Sequence, residues 1–495
     1  MTSDSQTTAA PPVEQPIDDA TARRNTLVIS LLLVSAFVVI LNETIMGVAL
    51  PHLMTDLQIT ASAAQWLTTA FMLTMAVVIP ITGFLLQRFT TRAVFMFAMT
   101  AFSTGTLISA ISPGFEVLLL GRVVQAVGTA TMMPLLMTTV MNLVPAASRG
   151  RVMGNISIVI SVAPAIGPTI SGIILNILDW RWMFWLVLPI AVASLLLGMA
   201  RIKNVSTPRP APFDVLSVIL SAFAFGGLVY GLSSLGEAAS HPGPVPGWLP
   251  IAIGAFALVL FVWRQLALQR EDKALLDLRT FLSRVFTVSV VMMAISMMAL
   301  FGTIILLPIY IQNVLGLDAL QTGLLLLPGG LIMGLIAPFV GRLYDRFGPG
   351  PLIIPGSILV SAVLWGMTLL GQHTSQYWLL AAHVTLSIGL ALMFTPLFTA
   401  SLGSLPRHLY SHGSAVIGTA QQLAGAAGTA LFVAVMSMTA GRLAASGVDQ
   451  VAATAEGIHT AFIWGAVISM FAIVAAFFVR KPETEDVPEG AVAGH

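Results

Sequence analysis

Apolar runs separated by short polar, glycine-rich or proline-rich breaks fill the chain from Leu27 almost to its end. A hydrocarbon core about 30 Å thick is crossed by about 20 apolar residues in a helix. Runs of that length predict spans near 27–50, 62–86, 93–111, 115–142, 151–177 and 181–200. Two more follow near 214–235 and 248–265, and a last set lies near 285–313, 320–341, 351–371, 378–402, 414–437 and 457–479. The grouping is six, two and six, and the fold class is an all-α integral membrane protein.

Charge sorts the connections. Segments holding Arg23 and Arg24, Arg88 and Arg92, Arg149 and Arg151, Arg201 to Arg209, and Arg264 to Arg284 alternate with connections poor in Lys and Arg. Those with Arg342 and Arg346, Arg407, and Arg480 with Lys481 continue the alternation. Of 22 basic residues, only Arg181 and Arg442 fall on the opposite side and Arg122 falls inside a span, leaving 19 on one side. Basic connections stay cytoplasmic, so both termini are expected there, in a multi-pass protein of the cell membrane. Residues 1–24 read as a disordered cytoplasmic tail rather than a signal peptide, because the Arg pair follows it and the next apolar run exceeds a signal core.

Composition narrows the rest. Only 9% of the 495 residues are charged, against about 25% in soluble domains, and mean hydropathy is +0.93. A net charge of +1 gives no basic excess for nucleic acid. The absence of cysteine excludes disulfides, thiolate metal sites and cysteine nucleophiles. No G-x-x-x-x-G-K-[ST] loop is present for ATP, and no G-x-S-x-G nucleophile elbow. His408 and His412 stand four residues apart in a basic connection with no carboxylate between them, a poor zinc site. No cofactor is expected.

The chain repeats itself. Pro80-x-x-Gly83-x-Leu85-x-x-Arg88-Phe89 closes the second span and Pro338-x-x-Gly341-x-Leu343-x-x-Arg346-Phe347 closes the tenth. Ser148-Arg149-Gly150 and Ser411-His412-Gly413 open later spans at a similar offset. Duplicated six-helix bundles with a site between them are a transporter plan. The expected organisation is a bundle over 25–202, a linker with two extra spans over 203–270, a bundle over 271–480, and a cytoplasmic tail over 481–495.

Four stretches carry further chemistry. Leu41-Asn42-Glu43-Thr44-Ile45 through Pro51 ends the first span, and Gly83-Phe84-Leu85-Leu86-Gln87-Arg88 ends the second. Arg122 and Gln125 lie in the fourth, where a charge at membrane depth is costly and demands a partner or water. The fifth carries Gly154, Ala163, Pro164, Gly167, Pro168, Ser171 and Gly172, and Asp179-Trp180-Arg181-Trp182 follows. Ala163, Gly167 and Ser171 recur every four residues, so one face is nearly bare and admits a close neighbour. The prolines remove backbone donors and favour bending.

Together these stretches resemble the major facilitator superfamily in its fourteen-span drug:proton antiporter branch, and most of all its lincomycin-resistance-type exporters. The resemblance runs from about Leu41 to Arg480. Asn42 stands where the family pattern L-D-x-T-I-V-N-V-A-L-P has Asp, and Gln87 replaces a second Asp that the repeat copy keeps as Asp345. The resemblance implies two six-helix bundles plus two inserted helices, and efflux of amphipathic drugs against inward proton flow, by a monomer in lipid, without ATP or an enzymatic step. The alternative on the same fold is export of one endogenous metabolite such as a siderophore, lipid or peptide.

Site expectations follow. Glu43 is the candidate proton carrier, tuned by Arg122. The residues of the fifth span form the antiporter motif, and Gly83, Arg88, Arg92, Gly341, Asp345 and Arg346 the gating loops. Asp345 is expected to latch the bundles, pairing with arginines and accepting from helix N-terminal N–H groups. Asn42, Gln65, Trp66, Thr69, Gln125, Met132, Met133, Gln421 and Gln422 are expected to line an apolar cavity with sparse polar contacts.

Overall fold

The computed structural model describes residues 19–204, 208, 214–238, 246–372 and 374–479. Most of the expected N-terminal tail, Arg209, Arg480 and all of the tail over 481–495 lie outside the described residues, as does the side chain of Pro168.

Among the described residues, fourteen helices are long and apolar enough to cross a membrane. The first bundle has α1 (Asp19–Asp56), α2 (Ala61–Arg88), α3 (Thr91–Ala110), α4 (Phe115–Leu143), α5 (Arg149–Ile177) and α6 (Trp182–Arg201). The inserted pair is α7, built from Val215–Ser221, a π-helical turn Ala222–Gly226 and Gly227–Ala238, with α8 (Trp248–Leu268). The second bundle has α9 (Arg284–Asn313), α10 (Ala319–Phe347), α11 (Gly350–Met367), α12 (Gln376–Gly403), α13 (Tyr410–Ala445) and α14 (Gln450–Ala476). Each α-helix closes its own backbone hydrogen bonds, which hydrocarbon demands. Several starts are fixed by side-chain caps: Thr60 accepts from Ala63 N, Thr90 from Ala93 N, and Asp318 with Gln321 forms a capping box.

Several helices run past their expected spans, α1 to Asp56, α10 to Phe347 and α13 to Ala445, and α14 starts early at Gln450. Helix α1 begins at Asp19, so the last residues of the expected tail are helical. Nothing between Asp19 and Leu27 breaks a helix, and Ala20, Ala22, Arg23 and Arg24 favour one. Both members of the internal repeat end spans on one side of the molecule, α2 at Arg88 and α10 at Phe347. That side, which also carries the start of α1, is called the terminal face below, and the opposite side the distal face.

Within the first bundle α3 and α2 pack on α4, and α1 on α5; within the second α10 packs on α12, and α9 on α13. The bundles meet along α5 with α10 and α2 with α13, with α4 touching α13 and α5 touching α12. Helix α7 lies against α13 and its π turn against α2, so the inserted pair covers the α2/α13 seam from outside.

Polar staples hold the ends. On the distal face Arg181 donates to Ser112 O at 3.1 Å and pairs with Asp56 at 3.5 Å, while Trp180 Nε1 donates to Asp56 at 2.7 Å. On the terminal face Arg264 donates through both Nε and Nη2 to the Asp214 carboxylate at 2.7 Å each. That hydrogen bonding holds the Asp214 carboxyl at about 2, below the usual carboxylate range. Gln265 donates to Ser217 Oγ at 2.7 Å and accepts from Leu275 N at 2.8 Å, which ties the strap following α8 back onto the inserted pair. Outward side chains of α8 such as Phe256 and Trp263 are exposed apolar surface that lipid covers.

Candidate substrate and proton pathway

Arg122, about two turns into α4 from Phe115, is buried at 1% exposure. One Nη donates to Gln125 Oε1 at 2.7 Å and to Asn42 Oδ1 of α1 at 3.3 Å. The guanidinium lies 4.1 Å from the ring centre of Phe71 on α2. Gln125 passes the chain on, donating to Thr106 Oγ1 of α3 at 2.8 Å. Four helices thus converge on one cation. Its Nε has no hydrogen-bond partner among the described residues, so the site holds unused donor capacity where leaving a donor unmet is expensive.

Glu43 follows Asn42 on α1 and is half-buried. Its charge and that of Arg122 act on one another, yet no direct salt bridge joins them among the described residues. The neutral Asn42 therefore sits between chain and cation where the family pattern has Asp. Gln125, expected in the cavity, is fully buried with both ends of its amide used inside the bundle.

The small residues of α5 serve two different neighbours. A Cβ on Gly154 would come within 2.6 Å of Ala337 O on α10, one on Gly341 would meet Gly150 O, and one on Gly330 would meet Ala165. Gly150, Gly154 and Ala165 thus face the other bundle at backbone distance from α10. The row expected from the motif faces inward instead. A Cβ on Gly167 would strike the Thr44 side chain of α1, and Ser171 donates to Met183 Sδ of α6 at 3.3 Å. Ala163 is fully buried and Pro164 half-buried, whereas a Cβ on Gly172 would meet nothing within 4 Å.

At the terminal face Asp345 accepts from Gly150 N at 2.7 Å and Arg151 N at 2.8 Å, the first turn of α5. Its carboxylate therefore sits on a helix N-terminus across the seam. Arg346 and Arg342 lie over the rings of Phe347 and Phe339. Arg92 donates to Met199 O at 2.7 Å, joining α3 to α6 within one bundle rather than spanning two. Arg88 is exposed at the end of α2, and Gly83 faces His412 of α13, 3.2 Å from a built Cβ. Thr138 and Ser414 share a hydrogen bond of 2.9 Å across the same boundary, and Ser157 and Thr395 one of 2.8 Å deeper in.

Between α5, α9, α10 and α12 lies a void of about 10 Å³ bordered by Ser157, Ser161, Met297, Met333, Phe394 and Phe398, room for about one water. None of the expected cavity residues borders it. Trp66 stacks on Tyr230 of the inserted pair with ring centres 5.9 Å apart, an outward contact. Gln65 is exposed, Thr69, Met133 and Gln421 are half-buried, and Met132 is fully buried in α4. Gln422 approaches Met75 Sδ of α2 at 3.6 Å, across the bundle boundary. Phe71, Thr106 and Tyr230 carry no motif, and only their three-dimensional contacts single them out.

Two six-helix bundles joined by a glycine-lined seam, with a charged cluster buried inside the first, define a membrane transporter. The chain belongs to the major facilitator superfamily: the family model of that description matches residues 32–429. It is 42% identical over 461 residues to the lincomycin resistance protein LmrB of Listeria monocytogenes serovar 1/2a, covering 92% of this chain and 96% of that one. It is 41% identical over 457 residues to the uncharacterized MFS-type transporter YcnB of Bacillus subtilis (strain 168), covering 92% and 95%. The fold matches the solved proton:xylose symporter XylE with TM-score 0.62 at 15% identity, over 93% of this chain and 97% of that one.

Proposed function

We propose that the chain is a proton-coupled exporter of amphipathic drugs working by alternating access, with its terminal face and both termini in the cytoplasm. The observation that carries this reading is the Glu43–Asn42–Arg122 cluster: a carboxylate beside, but not bonded to, a buried arginine. A carboxylate alone in hydrocarbon keeps its proton, and a nearby arginine favours release. The likeness to a lincomycin resistance protein supports drugs as cargo, and the 19-of-22 charge asymmetry supports the orientation.

The test is purified protein in liposomes. An imposed pH gradient should drive lincomycin or another amphipathic drug uphill, and an uncoupler should abolish it. Drug movement that ignores pH and follows sodium overturns the proton reading. A susceptibility panel in a pump-deficient host separates broad drug export from export of one metabolite.

A further inference from the structure

His412 opens α13 at the terminal face and is 3% exposed. Three bodies meet on its ring. Nδ1 accepts from the backbone N–H of Asp277 at 3.3 Å, in the strap between α8 and α9. Nε2 lies 2.7 Å from the side-chain amide nitrogen of Gln87, the residue before last of α2. Gly83 of α2 closes over the ring, where even a Cβ would press on Nδ1. The strap itself is anchored on the inserted pair through Gln265 and the Asp214–Arg264 bridge.

The Gln87 amide nitrogen that faces Nε2 also donates to His408 O at 3.3 Å, so it is held at the start of α13 from two points. The strap meets the ring with the Asp277 N–H and with the backbone of Leu275. We propose that His412 is a positioning residue for the transport cycle: neutral and held by the strap, it bonds Gln87 and keeps the terminal face closed, and a proton from that face releases it. Protonated, both ring nitrogens are donors, so neither the Asp277 N–H at Nδ1 nor the Gln87 amide nitrogen at Nε2 keeps an acceptor. The charged or titratable groups that act on the ring are Asp277 and Arg279 of the strap and His408 of its own turn. The Asp277 carboxylate is committed to Arg279, accepting from Nε at 2.9 Å and from Nη2 at 2.6 Å. From α2 the facing groups are the uncharged Gln87 and Gly83. The inserted pair thereby gains a role, since its strap sets the hydrogen-bonding state of the gate.

The experiment reads the gate directly and needs neither substrate nor a gradient, so it stands or fails apart from the proposed drug:proton exchange. The chain has no cysteine, and Ser414, 4% exposed beside Thr138 at the closed face, is changed to Cys as a reporter for a maleimide. His412→Ala and Gln87→Ala, each in the Ser414→Cys background, should raise the labelling rate about threefold to tenfold, the population shift that one net hydrogen bond supports. His412→Gln, which can still accept and donate, should restore most of the protection. Lowering the bath pH from about 7.5 to about 5.5, across the ordinary histidine range, should raise labelling with His412 present and leave His412→Gln unchanged once thiolate content is corrected. Near-ultraviolet circular dichroism distinguishes a misfolded variant from an opened one. Equal labelling in folded wild type and His412→Ala, or a pH response that survives in His412→Gln, overturns the proposal.

Discussion

Asp345 of α10 accepts a hydrogen bond from the backbone N–H of Gly150 at 2.7 Å, so a side chain of one bundle caps a helix of the other. Arg151 N donates to the second oxygen at 2.8 Å. Hydrogen bonds to a charged group contribute about 1.5–3 kcal/mol each, and both of these join the two bundles at the terminal face.

Asp345→Asn keeps the shape but loses the charge and one acceptor. Its turnover in liposomes should change by about tenfold or more, with equilibrium drug binding within about twofold of wild type. Unchanged turnover would leave Asp345 as an anchor without a part in the cycle.

Glu43→Gln should abolish uphill export on a pH gradient while preserving downhill exchange of labelled drug. The amide retains the hydrogen bonding of a protonated carboxyl but cannot release a proton. A folded Glu43→Gln variant that still concentrates drug would move the proton site elsewhere.

Gly154→Leu should abolish transport with little loss of membrane insertion. A Cβ there comes within 2.6 Å of Ala337 O, so even the first added carbon forces the bundles apart. Gly172→Ala, where a Cβ meets nothing within 4 Å, should transport at the wild-type rate. The pair is read by uptake into inverted vesicles, normalised to protein in the membrane.

Thr138→Cys with Ser414→Cys replaces a hydroxyl pair 2.9 Å apart in a chain without other thiols. Oxidation should cross-link the terminal face, stop transport, and be reversed by a reductant. Transport that continues in fully cross-linked protein would mean that this boundary does not separate.

Asp214→Asn should lower the thermal midpoint of purified protein at neutral pH. The Asp214 carboxyl is held at about 2 by Arg264, below an ordinary value of about 4. A depressed folded value means that the stabilisation is complete above about pH 4 and fades as pH falls towards 2. The gap between wild type and variant should therefore close over that interval.

The spans were legible because lipid leaves the sequence little choice: each crossing needs an apolar run, and the run's length is the membrane's thickness. The same logic placed the repeat, since Gly83 and Gly341 mark places where α2 and α10 approach the opposite bundle. Side-chain partners across helices were less legible. Trp66 could face inward or outward on its helix, and only the packing of α7 on α13, with its π turn on α2, pairs it with Tyr230. Gln125 looked like a cavity residue because an isolated amide in a span suggests a ligand. Thr106 lies 19 residues away on a neighbouring helix, and no local pattern announces that it consumes the amide. His412 read as one of two histidines in a loop, whereas its helical first turn carries it into the boundary.

Gly150, Gly154, Gly330 and Gly341 bring the α5 and α10 backbones together with few side chains interlocked. Interlocked side chains resist sliding because every knob must leave its hole; smooth backbones do not. Along the α5/α10 line there are therefore few knobs to unseat, and the polar bonds that cross between the bundles, Asp345 with Gly150, Thr138 with Ser414 and, deeper in, Ser157 with Thr395, hold the two surfaces in register.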